Sequence, residues 1–347
     1  MQKIVIHRAG GYDRLRLEQH PLPPCSPTDV HVRVRAAGIN YADCIVRMGL
    51  YASAKDYVGW PITPGFEVAG EVARVGAEVD DVAVGERVIA VTRFGGYTSD
   101  LVVPRRQVFA VPRGLSFEQA ASYPAVFLTA YHAMVELARP KFGATVLVHS
   151  AAGGVGGALV QIARLLGCHV VGVVGGTHKV DHAHALGAHV VIDTSREPLW
   201  PTAELHAPAG YDVVLDANGV TTLRGSLAHL APMGRLVVYG FASMLPKAGR
   251  RLSWLKLAWN FLTTPRFSPF ALTQRNRSVM GFNLSYLFDH VRLMQDGMTQ
   301  LGKWFEEGAL RPLPVTSFGL HEAAAAQRLL ESGSTIGKLV LVPEPTP

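Results

Sequence analysis

The 347-residue sequence predicts an α/β protein in which a doubly wound parallel sheet accompanies a β-rich domain. Three observations carry that reading. Short apolar runs alternate with helical stretches through the middle of the chain. A glycine-rich turn stands between the first of these runs and the first helix. Toward either end the chain instead reads as short strands broken by Pro and Gly turns.

The middle begins with Val146-Leu147-Val148, followed by His149-Ser150-Ala151-Ala152-Gly153-Gly154-Val155-Gly156 and the helix-like Ala158 to Ala163. Cys168 to Val174 is a second, β-branched run, Lys179 to Leu186 is helical in pattern, and Val190 to Asp193 is a third strand. Tyr211 to Asp216 and Arg235 to Gly240 add two more, with Thr222 to Leu230 helical between them. Such alternation places ligands outside the carboxyl ends of the strands. Before it, Val30 to Ala36, Val68 to Val75 and Arg87 to Val91 read as strands; after it come a helix over Leu320 to Leu330 and a strand over Ile336 to Val342. That last strand is expected to fold back on the first domain. The expected division is therefore 1–124 with 286–347 as one domain and 125–285 as the other, with the active site in the cleft between them.

A composition of 48% hydrophobic and 17% charged residues is globular, with disorder expected only in the Pro-rich tail after Pro343. Cys25, Cys44 and Cys168 are too few and too scattered for a disulfide framework or a four-thiolate zinc site, which fits a reducing, cytoplasmic setting. Met1 to His7 lacks a signal-peptide core, and no uninterrupted apolar run is long enough to span a membrane. Of the formal charge of +6, part is local: segment 246–278 holds Lys247, Arg250, Arg251, Lys256, Arg266, Arg275 and Arg277 and no acid. Within it Ser253, Lys256 and Asn260 share one helical face against a broad apolar remainder. A lid or dimer-contact helix, a surface for an acidic handle such as phosphopantetheine or a nucleotide, and an interfacial membrane helix all fit this segment. No nucleic-acid-reading motif accompanies the charge.

A glycine-rich turn can be a plain tight connection, but between strand and helix of an alternating unit it reads as a dinucleotide site. Gly153 lets the backbone approach a pyrophosphate, and Gly156 lets the helix pack closely on the strand. Ala151 replaces the first fingerprint glycine. At the end of the second strand, where a carboxylate would bind a ribose 2′-hydroxyl, the sequence has Gly175-Gly176-Thr177-His178-Lys179. That glycine opening with Thr177 and Lys179 accepts a 2′-phosphate, so the expected cofactor is NADPH; the alternative for Lys179 is a solvent-exposed helix lysine.

Gly38-Ile39-Asn40-Tyr41-Ala42-Asp43, Arg47-Met48-Gly49-Leu50-Tyr51, Pro64 to Gly70, Gly85-Glu86-Arg87-Val88 and the 151–156 loop resemble the medium-chain dehydrogenase/reductase superfamily, in its zinc-free quinone oxidoreductase branch. Asn276 to Leu287 resembles the vesicle amine transport protein-like subgroup of that branch, which includes membrane-associated members. The resemblance implies a GroES-like catalytic domain, a Rossmann cofactor domain and a homodimer. Asn40 and Phe66 stand where zinc-dependent members carry ligands, so no zinc is expected; Glu67 is expected to be a structural carboxylate bonded to an arginine. His178, His182, His184 and His189 are expected in surface or capping roles. Cofactor contacts implied are Ala152, Gly153, Gly154, Val155, Gly175, Thr177, Lys179 and Thr194 on the phosphate and adenosine side. On the nicotinamide side they are Thr129, Asn218, Tyr239, Phe241, Phe282 and Asn283, although Asn218 also reads as a turn residue and Phe282 as core.

Without a metal, reduction of a simple carbonyl lacks its Lewis acid, whereas hydride addition to a conjugated acceptor needs only hydrogen-bond donors and a proton. Tyr51 is the expected donor, with a buried and satisfied tyrosine as the alternative, and Asn40 the expected orienting group. Tyr41, Asp43 and Arg47 are expected to shape the pocket, with Trp60, Phe94, Tyr123, Phe241 and Met244 supplying an apolar, largely aromatic wall for a small enone or quinone. Together these residues point to an NADPH-dependent reductase of quinones or α,β-unsaturated carbonyl compounds. An enoyl-thioester reductase of fatty-acid or polyketide synthesis and a non-enzymatic NADPH-binding module at membranes are the alternatives.

Overall fold

The structure, a computed structural model, describes residues 1–244 and 253–344, without the side chains of Trp254 and Lys256. Lys247, Arg250 and Arg251 of the basic segment, like the last three residues of the Pro-rich tail, lie outside the described residues. Two compact units divide the chain: Met1–Leu128 with Ser285–Pro347, and Thr129–Leu284.

The first unit carries strands β1 (Gln2–Val5), β2 (Arg16–Gln19), β3 (Asp29–Ile39), β4 (Glu67–Val75), β5 (Arg87–Val91), β6 (Asp100–Pro104) and β7 (Val108–Ala110). The chain then passes through β8 (Thr145–Val148), β9 (His169–Val174), β10 (Val190–Asp193), β11 (Tyr211–Asp216), β12 (Leu230–Val238) and β13 (Ser278–Gly281). It returns to the first unit with β14 (Val315–Gly319) and β15 (Lys338–Val342).

Alternation sets the first unit's sheet. On β3, Val30, Val32 and Val34 turn inward while Arg33 and Arg35 face out, the period of a half-buried strand. The strand order is β14-β15-β3-β4-β5-β7, with β6 also paired to β3. β15 runs antiparallel to β3 with Leu339 opposite Ile39, so the C-terminal strand completes the core formed by Val30, Val68, Val72, Leu339 and Leu341. Two short helices, Tyr41–Arg47 and Ala52–Tyr57, leave the end of β3.

The second unit follows the doubly wound order β10-β9-β8-β11-β12-β13, with every pairing parallel. Its central strands are covered on both faces, which is why they are continuous apolar runs without alternation: Val170, Val171, Val173 and Val174 of β9 are all buried. The order reverses between β8 and β11, the switch point at which such sheets bind ligands.

Two elements extend the sequence reading. Residues 278–281 form the edge strand β13, too short to show a period of its own. The helix Val291–Glu306 buries Met294, Gly297, Met298, Leu301 and Phe305, one stripe at helical spacing. The Ala-rich C-terminal helix runs over Ala323–Ser332, two to three residues later than expected, and ends at Gly333 with φ 70°. Among the described residues, no helix is long and apolar enough to cross a membrane.

Candidate active site

In the second unit, β8 delivers the chain into the turn 149–153 and the helix Gly154–Leu165. A Cβ built on Gly156 would stand 2.0 Å from the Ser150 carbonyl oxygen, so this position admits glycine alone. Ala151 is accommodated in place of a glycine because β9 carries Gly172 opposite it, where a Cβ would lie 2.9 Å from the Ala151 methyl. The first-turn amides of the helix, at Gly154 and Val155, have no partners within the helix itself and point out of its N-terminus. Ala152 and Gly153 lead into them.

A buried polar cluster ties this turn to the next strand end. His149 Nε2 lies 3.1 Å from Ser226 Oγ, which donates to Asp216 Oδ2 at 2.7 Å. Asp216 Oδ1 accepts from Asn218 N, Gly219 N and Thr222 Oγ1, fixing the 217–219 turn after β11. Asn218 thus does hold a turn through its backbone, while its side-chain Oδ1 accepts from Ser150 Oγ at 3.2 Å. Burial keeps His149 below its ordinary pKa, against the opposing pull of the Asp216 carboxylate 3.8 Å away.

The remaining cofactor candidates stand at neighbouring strand ends. Tyr239 follows β12 and Phe282 follows β13, with ring centroids 6.4 Å apart. Burial raises the Tyr239 phenol far above its ordinary value, and its oxygen has no hydrogen-bond partner within the described residues. Phe282 also packs 4.7 Å from His132, so its ring is partly a core contact. Phe241 covers Gly219, while the amide of Ser243 donates to the Asn218 carbonyl, tying the 241–244 stretch with Met244 to that turn. Asn283 follows Phe282, and Thr129 lies on the helix Pro124–Tyr131 where the second unit begins.

At the adenosine side, Gly175 opens into space, with no atom within 4 Å of where a Cβ would be, and Lys179 is half-buried, its ammonium pKa lowered by desolvation. The second strand itself ends without a carboxylate, as the sequence predicts. The structure brings one from the next strand: Asp193, opposite Val174 at the end of β10, accepts from Thr177 Oγ1 at 2.6 Å. Thr194 turns its hydroxyl back onto the Val174 carbonyl at 3.0 Å. His189 accepts the Val170 amide and pairs with Arg164, and His184 contacts the Ala188 carbonyl, which are capping roles.

In the first unit, Tyr51 precedes the helix Ala52–Tyr57, its ring edge-on to Phe66 at 6.0 Å and to Phe94 at 6.3 Å. Tyr51 and Trp60 line one small pocket with Val46, Gly49, Ala54 and Ile62. The helix is held from its far end. Arg93 lies 3.5 Å above the Tyr57 ring and donates to Asp289 at 2.7 Å, and Tyr286 donates to Asp56 at 2.7 Å.

Asn40 enters a different cluster. Its Nδ2 donates to Glu67 Oε1 at 2.9 Å, and its Oδ1 accepts from Lys338 Nζ at 2.8 Å. Lys338 also donates to Glu67 Oε1 at 3.0 Å and to the Ile39 carbonyl, while Glu67 Oε2 accepts from Ala125 N. Glu67 therefore pairs with a lysine of β15, which corrects the expectation of an arginine. A metal does not fit this donor set: Asn40 and Phe66 replace ligand types, and an ammonium already neutralises Glu67. Among the described residues, no group of three or more His, Cys, Asp or Glu side chains has the geometry of a metal site.

Beside it, Asp43 is fully buried and accepts from Asn40 N, Gly65 N and Tyr97 Oη. Burial pushes its carboxyl up to about 7 despite those hydrogen bonds. Its folded value exceeds the ordinary unfolded one of about 3.9, so the stabilisation it gives is complete below about pH 4 and lost as pH rises through about 7. The stability of the native protein relative to Asp43→Asn, read from urea midpoints, is expected to fall between about pH 5 and pH 7.5. A difference constant over that window would count against this assignment.

Three pocket expectations are corrected. Tyr123 is only 1% exposed and packs on Phe127 and Phe305, at 6.3 and 4.5 Å, so it is core. Asp43 and Arg47 are likewise interior: Arg47 pairs with Glu331 at 2.8 Å and Gln327 at 2.7 Å, pinning the helix Tyr41–Arg47 to the C-terminal helix. Tyr41 is half-buried, its phenol raised by desolvation. Phe94 is a buried wall behind Tyr51.

A family model described as alcohol dehydrogenase GroES-like domain matches residues 26–113, and one described as zinc-binding dehydrogenase matches 186–341. The chain is 34% identical over 346 residues to the synaptic vesicle membrane protein VAT-1 homolog of Rattus norvegicus, covering 99% of this chain and 84% of that one. Its fold is similar to that of Escherichia coli quinone oxidoreductase complexed with NADPH, at TM-score 0.85, 27% identity and coverage of 99% and 100%. Pseudomonas syringae pv. Tomato DC3000 quinone oxidoreductase is similar at TM-score 0.84 and 31% identity, with 99% of each chain covered. By its GroES-like sheet, its doubly wound cofactor unit and its kinship over nearly its whole length, the chain belongs to the medium-chain dehydrogenase/reductase superfamily, in the branch of the VAT-1 homologs and quinone oxidoreductases.

Proposed function

We propose that the protein is an NADPH-dependent reductase of quinones and other α,β-unsaturated carbonyl compounds that works without a metal ion. The observation that carries this reading is the gathering of the cofactor candidates at the carboxyl ends of one parallel sheet, around a turn where Gly156 admits no side chain. The similarity to a quinone oxidoreductase complexed with NADPH supports it.

The residues fit that cofactor. The first-turn amides at Gly154 and Val155 suit a pyrophosphate, Gly175 leaves room beside the ribose, and Lys179 supplies positive charge for a 2′-phosphate. Asn218, Tyr239, Phe241, Phe282 and Asn283 border the nicotinamide end, with Thr129. When bound, NADPH supplies the hydride. Tyr51 donates a hydrogen bond to the substrate oxygen as negative charge develops there and then gives it a proton. The second Nδ2 hydrogen of Asn40 orients the carbonyl, its first being held by Glu67. Trp60 and the Tyr51 surround offer an apolar wall, with Phe241 and Met244 as further specificity residues.

The test is NADPH oxidation, with NADH alongside, against quinones, enones and enoyl thioesters. Turnover of quinones or enones is the expected result. Saturation of a crotonyl thioester with quinones ignored would replace this reading by the enoyl reductase. A second reading rests on the helices Trp254–Thr263 and Pro269–Arg275, which leave Leu255, Trp259 and Phe270 between 67% and 86% exposed. So large an apolar surface suits a second copy of the chain or a membrane. Liposome flotation at physiological salt with no turnover across the panel would favour a non-enzymatic, membrane-bound module.

A further inference from the structure

We infer that Asp193 sets how strongly the second unit distinguishes a ribose 2′-phosphate from a 2′-hydroxyl, holding the preference for NADPH over NADH below what Lys179 and the open Gly175 would give alone. The inference rests on the cofactor reading above.

In doubly wound sheets the ribose is read at the end of the second strand. Here that position is Gly175, which contributes no side chain. The adjacent strand fills the role from the side, because β10 pairs with β9 in a register that sets Asp193 opposite Val174, the residue before Gly175. The carboxylate is firmly placed: Oδ1 accepts from Ser195 N at 3.0 Å and Ser195 Oγ at 2.6 Å, and Oδ2 accepts from Thr177 Oγ1 at 2.6 Å. Those hydroxyls hold the carboxyl below its usual range, so it is charged at neutral pH. Among the described residues the nearest cation is Arg196, 3.9 Å away and 73% exposed, which screens the charge weakly.

Two effects follow at Thr177. Its single hydroxyl proton is committed to Asp193, so toward a ligand its oxygen offers only lone pairs. Lone pairs accept from a ribose 2′-hydroxyl and repel a 2′-phosphate. The carboxylate behind them adds a like charge against the phosphate dianion. An asparagine at 193 would reverse both effects. Its Oδ1 can still accept from Ser195, while its amide can donate to Thr177 Oγ1 and free the threonine proton for a phosphate oxygen.

The experiment is calorimetric titration of the full chain and of Asp193→Asn with adenosine 2′,5′-bisphosphate and with 5′-AMP, repeated with NADPH and NADH. The affinity ratio of phosphorylated over unphosphorylated ligand is expected to rise about tenfold in Asp193→Asn, equivalent to about 1.4 kcal/mol. Thr177→Val, which removes the acceptor for a 2′-hydroxyl, is expected to raise the same ratio by about threefold and decides the matter if Asp193→Asn fails to fold. Ratios within twofold of the native protein's, with both ligands binding, overturn the role of Asp193 and leave the cofactor reading standing. Native protein that binds neither fragment nor either cofactor overturns both.

Discussion

Lys338→Met is expected to destabilise the first unit by about 3 to 5 kcal/mol, a loss of roughly 10 °C or more in its thermal midpoint. The Lys338 side chain is 4% exposed and that of Glu67 fully buried, so removing the cation leaves Glu67 uncompensated in a low-dielectric interior. The Asn40 and Ala125 donors that remain on Glu67 are neutral and cannot balance its charge. Glu67→Gln alone should cost a similar amount, by stranding the ammonium. The combined variant should recover most of the loss, since two neutral groups of like shape need no counter-charge. Thermal melts followed by circular dichroism over the four proteins of this cycle would show it; strictly additive losses would mean that the two side chains do not act as a pair.

Tyr51→Phe is expected to lower kcat for quinone or enone reduction by about 10²- to 10³-fold, the usual cost of one hydrogen-bond donor to a developing oxyanion. KM should change little, because the hydroxyl acts where charge appears and contributes less to ground-state binding. The ring contacts with Phe66 and Phe94 survive the substitution, so the aromatic packing around residue 51 is retained. Steady-state rates beside NADPH affinity measured without substrate separate the two roles of the residue. Unchanged kcat would assign Tyr51 to packing and leave the proton donor elsewhere.

What could be read from the sequence was what neighbours in the chain determine. The β8 turn and the continuous valines of β9 carry their structure in local pattern, because burial on both faces of a parallel sheet removes alternation and the close Gly156–Ser150 approach demands glycine. Asn40 was legible as an amide in place of a ligand, but its partners were not. Lys338 is 271 residues from Glu67, and nothing local distinguishes it from any strand lysine. Tyr123 shows the converse difficulty: an aromatic residue near a cofactor domain fits a pocket or a core equally by composition, and only the packing of Phe127 and Phe305 assigns it to the core. Asp193 was visible as a strand end, yet its approach to Thr177 depends on which strand lies beside β9. The helix Val291–Glu306 has a clear apolar stripe that a period search over that stretch would have found.

The position of β15 bears on how the chain acquires its structure during synthesis. The second unit is one continuous stretch, 129–284, and all its strand partners have left the ribosome before β14 is made. The first unit lacks both the strand beside β3 and the ammonium opposite Glu67 until residues 338–342 emerge. Over that interval the edge of β3 that β15 covers is open to pairing with other strands. Vectorial synthesis therefore makes the later-encoded unit the earlier to mature, and a chain stopped just short of Lys338 would carry a folded cofactor domain on an unfinished catalytic one.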